Sequence, residues 1–109
     1  MTEQFAPGQI VTVFRSRLRD DADPAYEALD ESLRERAKGL GGLVDVKSFA
    51  ADDGERVTLV TFADRATHER WARDDVHRDA QRLGRSSIYS AFSIQVAECT
   101  NAKDFTRRD

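Results

Sequence analysis

The sequence predicts a ferredoxin-like α+β fold, in which an antiparallel four-stranded sheet carries both helices on one face. Three observations lead to this prediction. The chain has 109 residues, the length of one domain. Strand-type and helix-type hydrophobic patterns follow one another in the order β-α-β-β-α-β, which right-handed crossovers close into this topology. The two middle strands flank Asp53-Gly54, a dipeptide typical of tight hairpins.

The first half of the chain contains one strand and one helix. Residues 10–18, IVTVFRSRL, are rich in β-branched side chains and alternate in their second half, as a strand does. The helix begins after Asp23, which can cap it, and Pro24 occupies the first helical position, where a missing N–H costs nothing. Glycines within residues 39–42 end the helix. Its apolar stripe consists of Tyr26, Leu29, Leu33, Ala37 and Leu40.

Three further strands are predicted. Residues 43–51 and 56–63 are the two arms of the hairpin, and residues 87–99 form a long last strand. The single cysteine, Cys99, falls at the end of that strand, where we interpret it as a small core residue.

Two short helices lie between the hairpin and the last strand. Asp64 caps the first, residues 65–73, and a break at Asp74-Asp75 begins the second, residues 76–84. The second helix is expected to turn an apolar stripe inward, formed by Val76, Ala80 and Leu83.

Both faces of the predicted sheet carry apolar side chains. Strand by strand, the opposed sets are Ile10 and Phe14 against Val11 and Val13, Val57 and Leu59 against Val60 and Phe62, and Phe92, Ile94 and Val96 against Tyr89, Ala91 and Ala97. The helices cover only one face. We therefore expect a second copy of the chain to cover the other in a twofold homodimer. The alternative is a sheet curved tightly enough to bury both faces within one chain.

Composition narrows the classes of partner and location. Lys plus Arg number 17 and Asp plus Glu 20, a net charge of −3 with mixed signs, so no basic face favours nucleic acid or an anionic membrane. The N-terminal MTEQFAPGQ resembles no signal peptide, which favours the cytoplasm. We divide the chain into a flexible segment over residues 1–8, a domain over residues 9–99 and a polar tail over residues 100–109.

The segment HERWARDDVHRDAQRLGR contains the tryptophan and both histidines of the chain. A cleft between helices and sheet would have largely apolar walls, and Trp71, amid charged neighbours, must turn its ring inward either as core packing or as a cleft wall. His68 lies three residues earlier on the same helical face and Thr67 four residues earlier. Both are candidate ligand-binding residues, although His68 fits an exposed position as well.

His77 is the candidate general base. It lies just after the Asp74-Asp75 break, where a helix N-terminus favours neutral imidazole while the two carboxylates favour imidazolium. The alternative is a surface or capping histidine.

Aromatic side chains from the sheet complete the candidate site. Tyr89 can place a hydroxyl at the mouth of the cleft, or be only a rim aromatic, and Phe14 and Phe92 are expected to contact the ligand. Arg15 and Arg17 share one face of the first strand, where an ion pair with Asp45 or another strand carboxylate is the ordinary interpretation. The chain contains no P-loop, GxGxxG, HExxH or GxSxG motif, and we predict neither a metal site nor a cofactor.

The chain resembles the antibiotic biosynthesis monooxygenase family, small dimeric ferredoxin-like proteins, from about residue 10 to residue 98. The resemblance depends on IVTVFRSRL, on KSFAADDGERVTLVTFAD and above all on WARDDVHRDAQRLGR leading into IYSAFSIQVAE. It implies cofactor-free oxidation of an electron-rich phenol or quinol, with His77 as base, Trp71 as wall and Tyr89 as hydrogen-bonding partner. In the best-known oxygenase of the family a tyrosine follows the tryptophan by six residues and an asparagine precedes it by four. This chain has His77 and Thr67 there.

Two other functions remain open at this stage. One is a non-catalytic dimer that binds a small hydrophobic aromatic ligand or acts in a stress response, because a fold does not determine a function. The other is haem degradation, which related proteins perform with an asparagine on the first strand, a tryptophan and a histidine ligand. Here the first strand offers only Thr12 and Ser16.

Overall fold

A computed structural model describes residues 4–22 and 26–107, so the predicted Asp23 cap and Pro24 lie outside the described residues. The elements are β1 (Ile10–Leu18), α1 (Tyr26–Leu40), β2 (Leu43–Ala50), β3 (Arg56–Phe62), α2 (Arg65–Arg73), α3 (Asp75–Leu83), a π-helical turn (Gly84–Ile88) and β4 (Tyr89–Glu98). None of the helices in these ranges is long and apolar enough to cross a membrane.

The four strands form one antiparallel sheet in the order β2-β3-β1-β4. Together with the element order this is the ferredoxin-like α+β arrangement, which confirms the predicted fold class. Because β1 and β3 are central, their side chains define the middle of the helix-covered face. Three rows of registered residues cross this face: Arg56, Ser16 and Phe92; Ser48, Thr58, Phe14 and Ile94; and Val46, Val60, Thr12 and Val96.

The last strand begins later than predicted. Residues 87 and 88 belong to the π-helical turn, and the pairing of β1 with β4 slips by one residue between Arg17 and Leu18, so that Leu18 pairs with Tyr89. Such a bulge moves every side chain before it to the other face of the strand. Tyr89 therefore lies with Phe92, whereas simple alternation had placed the two on opposite faces.

The helical layer covers the sheet only loosely. Buried apolar residues are few among the described residues, namely Ile10, Ala37, Phe62 and Ile88. The stripe predicted for α3 is not buried as expected, because Val76 and Leu83 each remain 43% exposed. This helix packs mainly against the π-helical turn and α2 rather than onto the strands. The space beneath it is left open.

The other face of the sheet is partly apolar and partly charged. Val11, Val13 and Leu59 are half-buried there without any helix above them. Arg15 and Arg17 pair with Glu55 at 2.7 Å and Asp53 at 2.8 Å, so their partners belong to the hairpin and not to Asp45. Cys99 lies just beyond β4, partly exposed, with Sγ 3.4 Å from the Asn101 carbonyl, and is not the core residue that we expected.

Candidate active site

A cleft of about 490 Å³ lies between the helices and the sheet. Its floor is formed by the three rows described above, and α1, α2 and α3 form its walls and roof. Aromatic and aliphatic side chains dominate the lining, as in most small-molecule sites. The cleft opens towards β4, where Val96 lines it and yet is 54% exposed.

Asp74 fixes the corner at which α2 meets α3. Its backbone N–H donates to the Trp71 carbonyl at the end of α2, and its side chain accepts from the His77 N–H at the start of α3. Arg36 on α1 binds the same carboxylate at 2.8 Å, and only 7% of the Asp74 side chain is exposed. The predicted break is therefore produced by one carboxylate, which caps α3 and links it to α1 and α2.

His77 and Trp71 meet at this corner. The two rings are stacked, with centroids 4.0 Å apart and planes inclined by 25°, and both line the cleft. His77 Nδ1 lies 3.1 Å from the Trp71 carbonyl oxygen. A carbonyl can only accept, so Nδ1 carries the proton and Nε2 is the nitrogen left with a lone pair in the neutral ring.

Burial lowers the pKa of His77 below the ordinary imidazole value of 6.5. The hydrogen bond to the Trp71 carbonyl and the charge of Asp74 oppose this shift without reversing it, and the charge of His68 adds to it. The sequence could not decide between the neutral and the charged form of His77. In the structure desolvation is the largest influence on the ring, and it favours neutral imidazole. The ring is in the protonation state of a base near pH 7.

Three aromatic rings form the end of the cleft beside the π-helical turn. Phe14 lies edge-on to Tyr89 and Phe92, at 5.4 and 5.6 Å between centroids, and Tyr89 lies 5.9 Å from Phe92. Burial raises the pKa of the Tyr89 hydroxyl, and the charge of Asp30 raises it further. Tyr89 therefore remains a hydrogen-bond donor at neutral pH. The structure brings all three predicted aromatic residues into the cleft.

His68 is closer to the site than its charged neighbours suggested. Its ring is half-buried, lines the cleft and packs edge-on against Phe62 with 5.3 Å between centroids. Burial lowers its pKa as well. The exposed position that the sequence also allowed is not found, because α2 turns this face towards Phe62.

Thr67 does not line the cleft, so its predicted contact with a ligand is not supported. Its N–H and hydroxyl both donate to Asp64 Oδ1, at 2.8 and 2.7 Å, and complete the N-cap of α2. The side chain is buried against Gly42, whose positive φ of 78° ends the turn after α1. Its role is to hold α2 in place.

Sequence reasoning missed a polar set at one end of the cleft. Ser48 and Thr58 bridge their hydroxyls at 2.8 Å, and Arg34 donates to Ser48 at 2.9 Å. Ser16 and Arg56 are neighbours on β1 and β3 and line the cleft beside them. Alternation along β1 was a usable signal, because Ser16 shares the face of Phe14. Arg34 had no such signal, since its approach depends on how α1 packs.

Thr12 is a further polar residue of the floor. Its hydroxyl is buried and has no hydrogen-bond partner within residues 4–22 and 26–107. As for metals, the same part of the chain contains no group of three or more His, Cys, Asp or Glu side chains arranged to hold an ion.

Comparison with known proteins finds similarity in structure only. No protein-family model and no curated protein sequence matches this chain. Several solved structures do match. One is Rv0793 from Mycobacterium tuberculosis, with a TM-score of 0.74 and 14% identity over 88% of this chain and 99% of that one. Another is a candidate antibiotic biosynthesis monooxygenase from Caulobacter crescentus, with a TM-score of 0.73 and 14% identity over 87% and 92%.

A third match has a stated activity. SnoaB from Streptomyces nogalater, a cofactor-independent oxygenase, superposes with a TM-score of 0.68 and 14% identity over 95% of this chain and 96% of its own. At these identities the likeness concerns the fold. The resemblance to antibiotic biosynthesis monooxygenases is thus confirmed as a shared ferredoxin-like α+β fold, extending over nearly the whole chain.

Proposed function

We propose that the cleft is the active site of a cofactor-independent monooxygenase that oxidises a small electron-rich aromatic or quinol with dioxygen. One observation carries the proposal. His77 is held by the Trp71 carbonyl as the Nδ1–H tautomer, with its pKa lowered, in a cleft of mostly apolar lining. A fixed neutral imidazole beside a flat indole suits removal of a proton from a planar aromatic substrate.

The chemistry needs no electron donor other than the substrate. His77 Nε2 takes a proton from an acidic CH2 or phenol, and the resulting anion gives one electron to dioxygen. The substrate radical and superoxide combine, the imidazolium returns its proton to the peroxide, and water leaves as a C=O bond forms. For an anthrone the balance is CH2 plus O2 to C=O plus H2O. The apolar lining keeps the anion out of water, which strengthens its interactions with the site.

The other predicted residues have supporting roles in this proposal. Tyr89 donates a hydrogen bond to the oxygen on which the anion's charge accumulates, because its raised pKa keeps the hydroxyl protonated. Trp71, Phe14 and Phe92 hold the rings of the substrate, and His68 contacts it at the Phe62 end.

The experiment is oxygen uptake with anthrone as the substrate. We expect one O2 consumed per anthraquinone formed, and His77→Gln should lower the rate by roughly 10²–10⁴-fold. Glutamine can still donate to the Trp71 carbonyl, so the corner is kept while the base is lost. Arg78→Gln, on the exposed side of α3 and outside the cleft lining, is the matched control. Turnover by His77→Gln within twofold of wild type would refute the base assignment.

The same assay separates the alternatives. A non-catalytic ligand-binding or stress-response protein would bind aromatic compounds without consuming oxygen. A haem-degrading protein would give a Soret band with added haemin, whereas we expect none.

We also propose that a second copy covers the other face of the sheet in a homodimer. Support comes from Val11, Val13 and Leu59, half-buried side chains that no helix covers. The oligomeric state in solution tests this directly.

A further inference from the structure

The polar end of the cleft has more hydrogen-bonding capacity than the chain uses. Ser16 is a buried residue, 8% exposed, that lines the cleft, and its hydroxyl has no hydrogen-bond partner within residues 4–22 and 26–107. Among the described side-chain atoms only Thr12 Oγ1 is both enclosed and unpaired, so the Ser16 hydroxyl reaches the open space of the cleft. A hydroxyl without a protein partner in the wall of a cleft can donate to a ligand.

A cationic residue pairs with Ser16 across the sheet. Arg56 is the registered neighbour of Ser16 on β3 and lines the same cleft. Among the described residues, its guanidinium forms no ion pair and no side-chain hydrogen bond. Nearby Arg34 is already engaged, with Nε 3.3 Å from Asp30 and Nη2 2.9 Å from the Ser48 hydroxyl. Arg56 is therefore the free donor at this end of the cleft.

Arg56 and His77 line the cleft from different elements. His77 lies at the corner of α2 and α3, stacked on Trp71. Arg56 begins β3 and is registered with Ser16, in the row that ends at Phe92 beside Tyr89. Both residues line the one cleft, so an elongated ligand can contact the imidazole with one part and the guanidinium with another.

The charges at this end limit the ligand's own charge. Asp30 and Glu27 also line the cleft, and Arg34 neutralises only Asp30. A dianion such as a phosphate monoester would be repelled by the remaining carboxylate. A carboxylate carries a single charge and matches a guanidinium in two parallel hydrogen bonds.

We propose that Arg56 and Ser16 form a subsite for a carboxylate, so that the substrate is an aromatic carboxylic acid with its acid group at this end. The inference rests on the proposed function for its reaction, but its binding test does not. Arg56 donates from its guanidinium and Ser16 from its hydroxyl, and the oxidised carbon lies at the His77 end.

The test uses two probes that differ in charge and little in shape, 2-naphthoate and 2-naphthamide, with affinities measured by isothermal titration calorimetry. Wild type should bind naphthoate roughly tenfold more tightly, as a charge-assisted pair adds to affinity. Arg56→Gln should reduce this preference to below about twofold while changing naphthamide binding little. Ser16→Ala should weaken naphthoate by roughly threefold to tenfold. Arg70→Gln, an exposed arginine of α2 outside the cleft, should keep the full preference.

Equal affinities for the two probes in wild type would overturn the subsite. So would an equal loss of preference in Arg56→Gln and Arg70→Gln, which would show that only net charge matters. Neither probe has the acidic CH2 that the oxidation needs, so the result is independent of turnover. Naphthoate preference in a protein that oxidises neither anthrone nor an anthrone carboxylic acid would leave the subsite standing and refute the monooxygenase. Oxidation of anthrone without the naphthoate preference would leave the monooxygenase standing and refute the subsite.

Discussion

Gly42 is the residue at which a single added methyl group should damage the frame of the site most. It has a φ of 78°, and an added Cβ would overlap the methyl and hydroxyl of Thr67 and lie 2.9 Å from the Thr67 Cβ. The left-handed conformation costs an alanine about 1 kcal/mol, and forcing a methyl into a packed site costs a further 1–3 kcal/mol or so. We therefore expect Gly42→Ala to lower the free energy of unfolding by about 2–4 kcal/mol.

Gly41→Ala is the matched control, because Gly41 has a similar φ of 83° and an added Cβ would meet nothing within 4 Å. It should lose only about 1 kcal/mol. Urea denaturation followed by far-UV circular dichroism, at one protein concentration, measures both values, and an unchanged m-value validates the comparison. Equal losses of unfolding free energy in the two variants would mean that Thr67 can move away from the added methyl group without cost. The packing of α2 against this turn would then not be what positions the site.

Three further predictions concern the corner, the base and the uncovered sheet face. Asp74→Ala removes both the Arg36 ion pair and the cap of α3, and should cost about 1–2 kcal/mol in urea denaturation, whereas the exposed Asp75→Ala should cost under about 0.5 kcal/mol. Oxygen uptake should need neutral His77, whose pKa is lowered by burial, so activity should fall with an acid limb centred below pH 6.5; an acid limb centred above 6.5 would contradict this. Leu59→Glu should convert a dimer into a monomer in sedimentation velocity at micromolar concentration, and a monomeric wild type would refute the homodimer.

Features that depend on neighbouring residues in the sequence were predictable. The caps at Asp64 and Asp74 define α2 and α3 through side-chain bonds to N–H groups three residues ahead, so the break was visible in the sequence itself. The choice of His77 and Trp71 as site residues followed from that break, because they lie on either side of it. The strand order followed from the element order and the handedness of the crossovers.

Features set by distant contacts were not predictable. The face of the sheet on which Tyr89 lies depends on a one-residue bulge in the pairing of β4 with β1. The burial of His68 depends on how α2 packs against Phe62. Thr67 was misplaced because spacing along α2 says nothing about Gly42, which approaches from the turn after α1. The polar end was missed because Arg34 and Arg56 come together only through the packing of α1 on the sheet.

In the proposed reaction, the hydrogen bond from His77 Nδ1 to the Trp71 carbonyl lowers the energetic cost of the proton transfer. When Nε2 takes up a proton, the ring becomes a cation, and the existing Nδ1–H bond becomes charge-assisted and stronger. No tautomer has to change and no side chain has to rotate between the neutral and charged states. The reorganisation energy of the proton transfer is therefore small, because the carbonyl that orients the base already points at the charge that will form.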